Sequence, residues 1–188
     1  MAGLPPHVEP RPSPPSDCSP ADPSWPALYP DVCGAIRDEW LQTGGLHGDL
    51  GPPTSPQFET TGQILGGAKP GEGQHFSAGS IYSTADTGAH AVFGPVRDKY
   101  LESGWENGEL GYPTSAVFDT AGGGQAARFE HGSIYWSPST GVHLVPEAAL
   151  ALWESTGYEE GFLGYPISDR VRELDPMVSR FLPVRNGS

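Results

Sequence analysis

The chain repeats itself, and that restricts its fold more than any other feature. Gly79 to Gly132, Gly88 to Gly141, His90 to His143 and Tyr112 to Tyr165 are all 53 residues apart. Three segments align on this period: Ile36-Arg-Asp-Glu-Trp40-Leu-Gln-Thr-Gly44, Val96-Arg-Asp-Lys-Tyr100-Leu-Glu-Ser-Gly104 and Ala149-Leu-Ala-Leu-Trp153-Glu-Ser-Thr-Gly157. Each puts an apolar residue and an aromatic four apart, then a glycine four further on. That pattern predicts a helix with one buried face and a glycine stop. Pro95 and Pro146 stand where such helices begin.

Each helix leads to a second shared element: Gly48-Asp-Leu-Gly-Pro-Pro-Thr-Ser55, Gly108-Glu-Leu-Gly-Tyr-Pro-Thr-Ser115 and Gly161-Phe-Leu-Gly-Tyr-Pro-Ile-Ser168. Glycine followed by X-Pro cannot continue a helix and forces an extended turn. A β-hairpin is predicted next, from Phe76–Tyr82 to Ala89–Val92 and again from Phe129–Trp136 to Val142–Val145, around loops rich in Ser, Thr and Gly. Gly51 and Gly111 are 60 apart because the first unit carries about seven extra residues around Gly62–Gly73. After Ile167-Ser168 the third unit does not complete its hairpin, which reads as a fragment or as an array whose last hairpin is replaced.

A unit of this size buries too little apolar surface alone, so neighbours must stack. The expected architecture is an α+β tandem repeat array, each unit a short helix, a Leu-Gly-x-Pro turn and a β-hairpin. Residues 1–30 hold ten of the 21 prolines and form a Pro-rich, polyproline-like leader or linker. The first unit spans residues 31–93 and the second 94–145. Residues 146–188 hold a partial third unit and a C-terminal tail.

The net charge of -13 argues against nucleic acid and anionic membrane surfaces as partners. Four of the ten basic residues (Arg170, Arg172, Arg180, Arg185) fall in the last twenty. No stretch approaches the roughly 18–20 apolar residues of a membrane span. The start, Met1-Ala-Gly-Leu-Pro-Pro6, has neither a basic nor an apolar region, so no signal peptide is expected in this chain. The only cysteines are Cys18 and Cys33. A disulfide between them would close a short loop worth about 3 kcal/mol and imply an oxidising, extracellular or virion setting. The alternative, metal binding, lacks Cys-x-x-Cys or paired histidines.

Catalytic motifs are missing. There is no Gly-x-Ser-x-Gly elbow, no His-Glu-x-x-His and no P-loop. Ser80 and Ser133 recur at strand starts, which points to backbone capping. Glu109, Asp119 and Glu130 are the candidates for a glycosidase pair, but nothing in the sequence converges them, and Glu109 is replaced by Asp49 and Phe162 in the other units. The chain is expected to be no enzyme and to need no cofactor or metal.

The recurring sub-motifs resemble the LGFP repeat, named for its Leu-Gly-Phe-Pro core. The core appears as Leu110-Gly111-Tyr112-Pro113 and Leu163-Gly164-Tyr165-Pro166, and Gly132-Ser133-Ile134-Tyr135-Trp136-Ser137-Pro138 followed by Thr140-Gly141-Val142-His143 matches the rest. The likeness covers roughly residues 33–168. In the first unit Pro52 takes the aromatic's place, and Ser83 stands where the second has Trp136. The resemblance implies an actinobacterial or actinobacteriophage protein that binds arabinogalactan or peptidoglycan, in a family often found beside mycolyltransferase-like or amidase-like catalytic domains.

Sugar rings present C–H faces that stack on aromatics, while hydroxyls bond polar neighbours. The candidate glycan-binding residues are therefore Tyr135, Trp136, Tyr112, Tyr165, Trp105 and Tyr82, with core packing as the competing role for each. Trp40, Tyr100 and Trp153 belong to the buried helix face. His90 and His143 are added as candidate contacts. The competing role for these two is a strand histidine bonded to its neighbouring turn. The expected function is non-catalytic binding of cell-envelope polysaccharide through weak contacts summed over units. The alternatives are a phage virion adhesion protein with virion or envelope partners, and an accessory part of a wall-active hydrolase or mycolyltransferase. The expected location is extracellular and wall-associated, or the virion.

Overall fold

The computed structural model describes residues 18–19, 29–64 and 67–169. The rest of the leader, with its expected polyproline-like run, and the tail from 170 to 188, with its four arginines and any third hairpin, lie outside the described residues. Strands β1 (Cys18–Ser19) and β2 (Val32–Cys33) pair antiparallel, and the Cys18–Cys33 disulfide joins them. Both cysteines are thereby spent, so the metal alternative falls away.

Helices α1 (Gly34–Gln42), α2 (Gly94–Glu102) and α3 (Glu147–Ser155) bury the predicted pairs Ile36/Trp40, Val96/Tyr100 and Ala149/Trp153. Each is followed by a left-handed glycine, Gly44, Gly104 or Gly157, and a short 3-10 turn. The Leu-Gly-x-Pro turn comes next, its glycine also left-handed, with φ of 67°, 71° and 67° at Gly51, Gly111 and Gly164. The helix aromatic reaches this turn in every unit. Trp40 Nε1 donates to Gly51 O at 2.9 Å, Tyr100 Oη to Gly111 O at 2.9 Å and Trp153 Nε1 to Gly164 O at 3.2 Å. A buried ring with a polar tip is what this position requires, which is why Trp and Tyr interchange there.

The single hairpin expected per unit is incomplete. The first and second units each hold a four-stranded antiparallel meander: β3 (Phe58–Ile64), β4 (Gly67–His75), β5 (Gly79–Thr84) and β6 (Gly88–Phe93), then β7 (Phe118–Thr120), β8 (Gly124–Phe129), β9 (Gly132–Ser137) and β10 (Gly141–Pro146). The predicted hairpins are β5–β6 and β9–β10. The additional strands carry little apolar alternation: β3 and β4 are rich in Gly, Thr and charged residues, and β7 is three residues long. The extra residues of the first unit lengthen β3 and β4.

The sheets are buried on both faces and alternate with the helices. Trp40 and Ile36 of α1 pack on Ile81 and Ala91, one face of the first sheet. Tyr82 and Val92, on its other face, join Val96 and Tyr100 of α2 and then Ile134, Leu144 and Ala127 of the second sheet. Ala126, Tyr135 and Val145 on the far face of that sheet pack under Ala149 and Trp153 of α3. The order is thus α1, sheet, α2, sheet, α3. The period-2 alternation of Ile81/Tyr82 and Ile134/Tyr135 places successive residues in different cores. Among the described residues, no helix is long and apolar enough to cross a membrane.

Candidate functional site

Three of the six aromatics expected to meet sugar, Tyr82, Tyr112 and Tyr135, lie in the interior. Tyr82 and Tyr135 are 2% and 4% exposed. Tyr82 meets Tyr100 edge-on at 5.6 Å, and its counterpart Tyr135 meets Trp153 edge-on at 4.5 Å. Burial pushes both phenols well above their ordinary pKa. Neither can offer a ring face to a ligand, because the helix that follows each sheet covers it. The expectation that they contact glycan is corrected accordingly.

Tyr112 is corrected for a different reason: it fastens one unit to the one before it. Its ring is 0% exposed, and its hydroxyl reaches the first sheet. That oxygen lies 2.8 Å from Thr60 Oγ1, accepts from Gly62 N at 2.9 Å and donates to Lys69 O at 3.0 Å. Glu130 closes the latch. Its Oε2 accepts from Tyr112 N at 3.0 Å and its Oε1 pairs with Lys69 Nζ at 2.6 Å. Burial pushes the Glu130 carboxyl up, but the Lys69 ammonium and the Tyr112 N–H outweigh it and hold it below the usual range. Tyr165 repeats the arrangement one unit later, half-buried, with its hydroxyl 2.7 Å from Thr120 Oγ1 and donating to Ala121 O. The first unit has Pro52 and Ser77 at the positions of Tyr112 and Glu130, and among the described residues no four-stranded sheet precedes it, only the two-residue β1–β2 pair.

Trp105 is half-buried, packed against Tyr82 and Tyr100 at 5.9 and 5.3 Å, with the Arg97 guanidinium 5.5 Å from its centroid. Its backbone is left-handed, with φ of 56°; the first unit has Gly45 there. His90 Nε2 donates to Thr87 O at 2.7 Å and His143 Nε2 to Thr140 O at 2.9 Å, each within its own hairpin turn. His143 Nδ1 also lies 3.2 Å from Asp169 Oδ1. Both rings brace a turn.

Ser80 is buried, and its hydroxyl accepts from Arg97 Nε at 3.2 Å and shares a hydrogen bond with His75 Nδ1 at 2.9 Å. Burial and the nearby Arg97 charge lower the His75 pKa. Side chains, not the backbone capping expected, use this hydroxyl. Ser133 is likewise buried. Of the acidic candidates, Glu130 is spent in the latch, while Glu109 and Asp119 are exposed. Among the described residues no group of three or more His, Cys, Asp or Glu could hold a metal ion.

Trp136 is different. It is half-buried, and it joins none of the three buried clusters and none of the ring pairs. Strand register sets it in a row. Val142 on β10 faces Trp136 on β9, which faces Gln125 on β8, which faces Asp119 on β7. Residues directly opposed across strands share one side of the sheet. Gly94, at the start of α2, borders the row: a Cβ there would lie 3.7 Å from Gln125 Oε1. An indole, an amide and a carboxylate therefore stand side by side, part open to solvent. The aromatic was legible in the sequence; Gln125 and Asp119 as its companions were not, because β7 and β8 were not foreseen.

The same row in the first unit reads Ala89, Ser83, Glu72, Glu59. It borders a shallow open groove of about 430 Å³ whose lining includes Glu59, Thr60, Thr61, Glu72 and Ser83.

No curated protein matches the chain. The LGFP repeat family model matches residues 50–108 and 110–161, two tandem copies. Each copy begins at the leucine of a Leu-Gly-x-Pro turn, runs through one sheet and ends just past the next helix. With more than half of its length matched in this way, the chain belongs to the LGFP repeat family.

Proposed function

We propose that this chain is a non-catalytic binding module for cell-envelope glycan, working outside the cell and associated with the wall. The observation that carries the reading is the Trp136 row. A sugar ring stacks its C–H face on the indole while its hydroxyls bond the Gln125 amide and the Asp119 carboxylate. Membership of a cell-wall-associated repeat family supports it, as does a disulfide suited to an oxidising compartment.

Retention on purified arabinogalactan and on purified peptidoglycan tests the proposal. The protein is expected to bind at least one of them, and Trp136→Ala to weaken that binding without changing the circular dichroism spectrum. If neither polymer retains the wild-type protein, the glycan reading is lost.

A further inference from the structure

We infer that the described array carries one glycan site, not one per unit, and that its ligand is an uncharged glycan lying across the strands of the second sheet. This rests on the glycan reading above and narrows it.

The count follows from what each of the six candidate aromatics is already doing. Tyr82 and Tyr135 are roofed by α2 and α3, Tyr112 and Tyr165 are fastened to the preceding sheet, and Trp105 lies under Arg97. These are positions that recur with the repeat, and where an aromatic stands at one of them the stack consumes it. Trp136 is the exception because the core does not need it. Its counterpart Ser83 sits at the same register in the first sheet without any ring. Repetition of the fold therefore does not repeat the platform.

The ligand's charge follows from the row's own chemistry. Val142, Trp136, Gln125 and Asp119 include no cation to pair with a phosphate, a uronate or a peptide carboxylate. Asp119 puts a negative charge in the row, in a chain whose net charge is -13. An anionic polymer would meet repulsion with no compensating ion pair. A neutral sugar meets a stacking face, an amide that both donates and accepts, and a carboxylate that accepts from hydroxyls. The direction follows from the register. The row runs perpendicular to the strands, and Asp119 lies two strand spacings, about 10 Å, from Trp136. That is the length of a disaccharide, so one ring would stack on Trp136 while the next reaches Asp119.

Isothermal titration with arabinogalactan oligosaccharides, read in parallel by tryptophan fluorescence, tests this on the full chain. Oligogalacturonate serves as the anionic probe. Expected are one site per chain, affinity unchanged when NaCl rises from about 0.05 to 0.5 M, and no binding of oligogalacturonate. Trp136→Ala should weaken binding about tenfold or more. Asp119→Ala, a change at an exposed position, should weaken it to a lesser degree. The double variant Glu72→Gln with Ser83→Trp should add a second site. Two sites in the wild type, full binding by Trp136→Ala, or stronger binding of oligogalacturonate than of the neutral sugar would each overturn the inference while leaving glycan binding in place. Retention by neither arabinogalactan nor peptidoglycan overturns the underlying reading instead.

Discussion

Tyr112→Phe isolates the latch between units, because it keeps the ring and deletes one oxygen. That oxygen contacts Thr60 Oγ1, Gly62 N and Lys69 O at 2.8, 2.9 and 3.0 Å, in a site with no solvent access at the tyrosine. A typical internal hydrogen bond contributes about 1 kcal/mol net, and a buried donor left without an acceptor costs about 1–3 kcal/mol. Gly62 N–H is buried and becomes such a donor, while Thr60 can still turn its hydroxyl toward another acceptor. The sum comes to about 3 kcal/mol, or a fall in melting temperature of about 8 °C for a domain of this size. Urea and thermal denaturation measure the loss, and amide exchange at Gly62 reports whether it arises at the latch. A loss below about 0.5 kcal/mol, or unchanged protection at Gly62, would refute the assignment. Pro52→Tyr is the matched control: with no four-stranded sheet of a preceding unit among the described residues, the new hydroxyl gains no partner like β3 and β4, and stability does not rise.

Three further outcomes follow from the same contacts. Gly62→Ala would put a Cβ 2.5 Å from the Tyr112 ring, so it should destabilise by about 2 kcal/mol, read by urea melts. The Glu130 carboxyl has its pKa depressed in the folded state, so its contribution is present above the ordinary carboxylate pKa and is lost as pH falls through the lowered one. Melting temperature should therefore drop on acidification through that window, and Glu130→Gln should flatten this part of the profile. Reducing the Cys18–Cys33 disulfide should cost up to about 3 kcal/mol, seen as a lower melting temperature in dithiothreitol and faster amide exchange in α1.

What the sequence determined was periodic and local. Apolar spacing placed α1, α2 and α3 and their buried pairs, glycines marked the stops and turns, and the Ile81/Tyr82 and Ile134/Tyr135 pairs sat in recognisable strands. Those features depend on neighbours a few residues away, which a linear reading contains. The β3–β4 and β7–β8 pairs were hidden because Gly-rich and polar strands take their place from pairing partners rather than from their own side chains. The roles of the aromatics were decided only by stacking. Tyr82, Tyr112 and Tyr135 look alike in the chain to Trp136: large, amphipathic and near turns. Whether a ring is roofed depends on which element crosses it, and Tyr112 acquires its partners some fifty residues upstream, on the first sheet. Pro52, a departure from the motif in the sequence, becomes intelligible on the same ground, since it stands in a unit with no preceding four-stranded sheet to grip among the described residues.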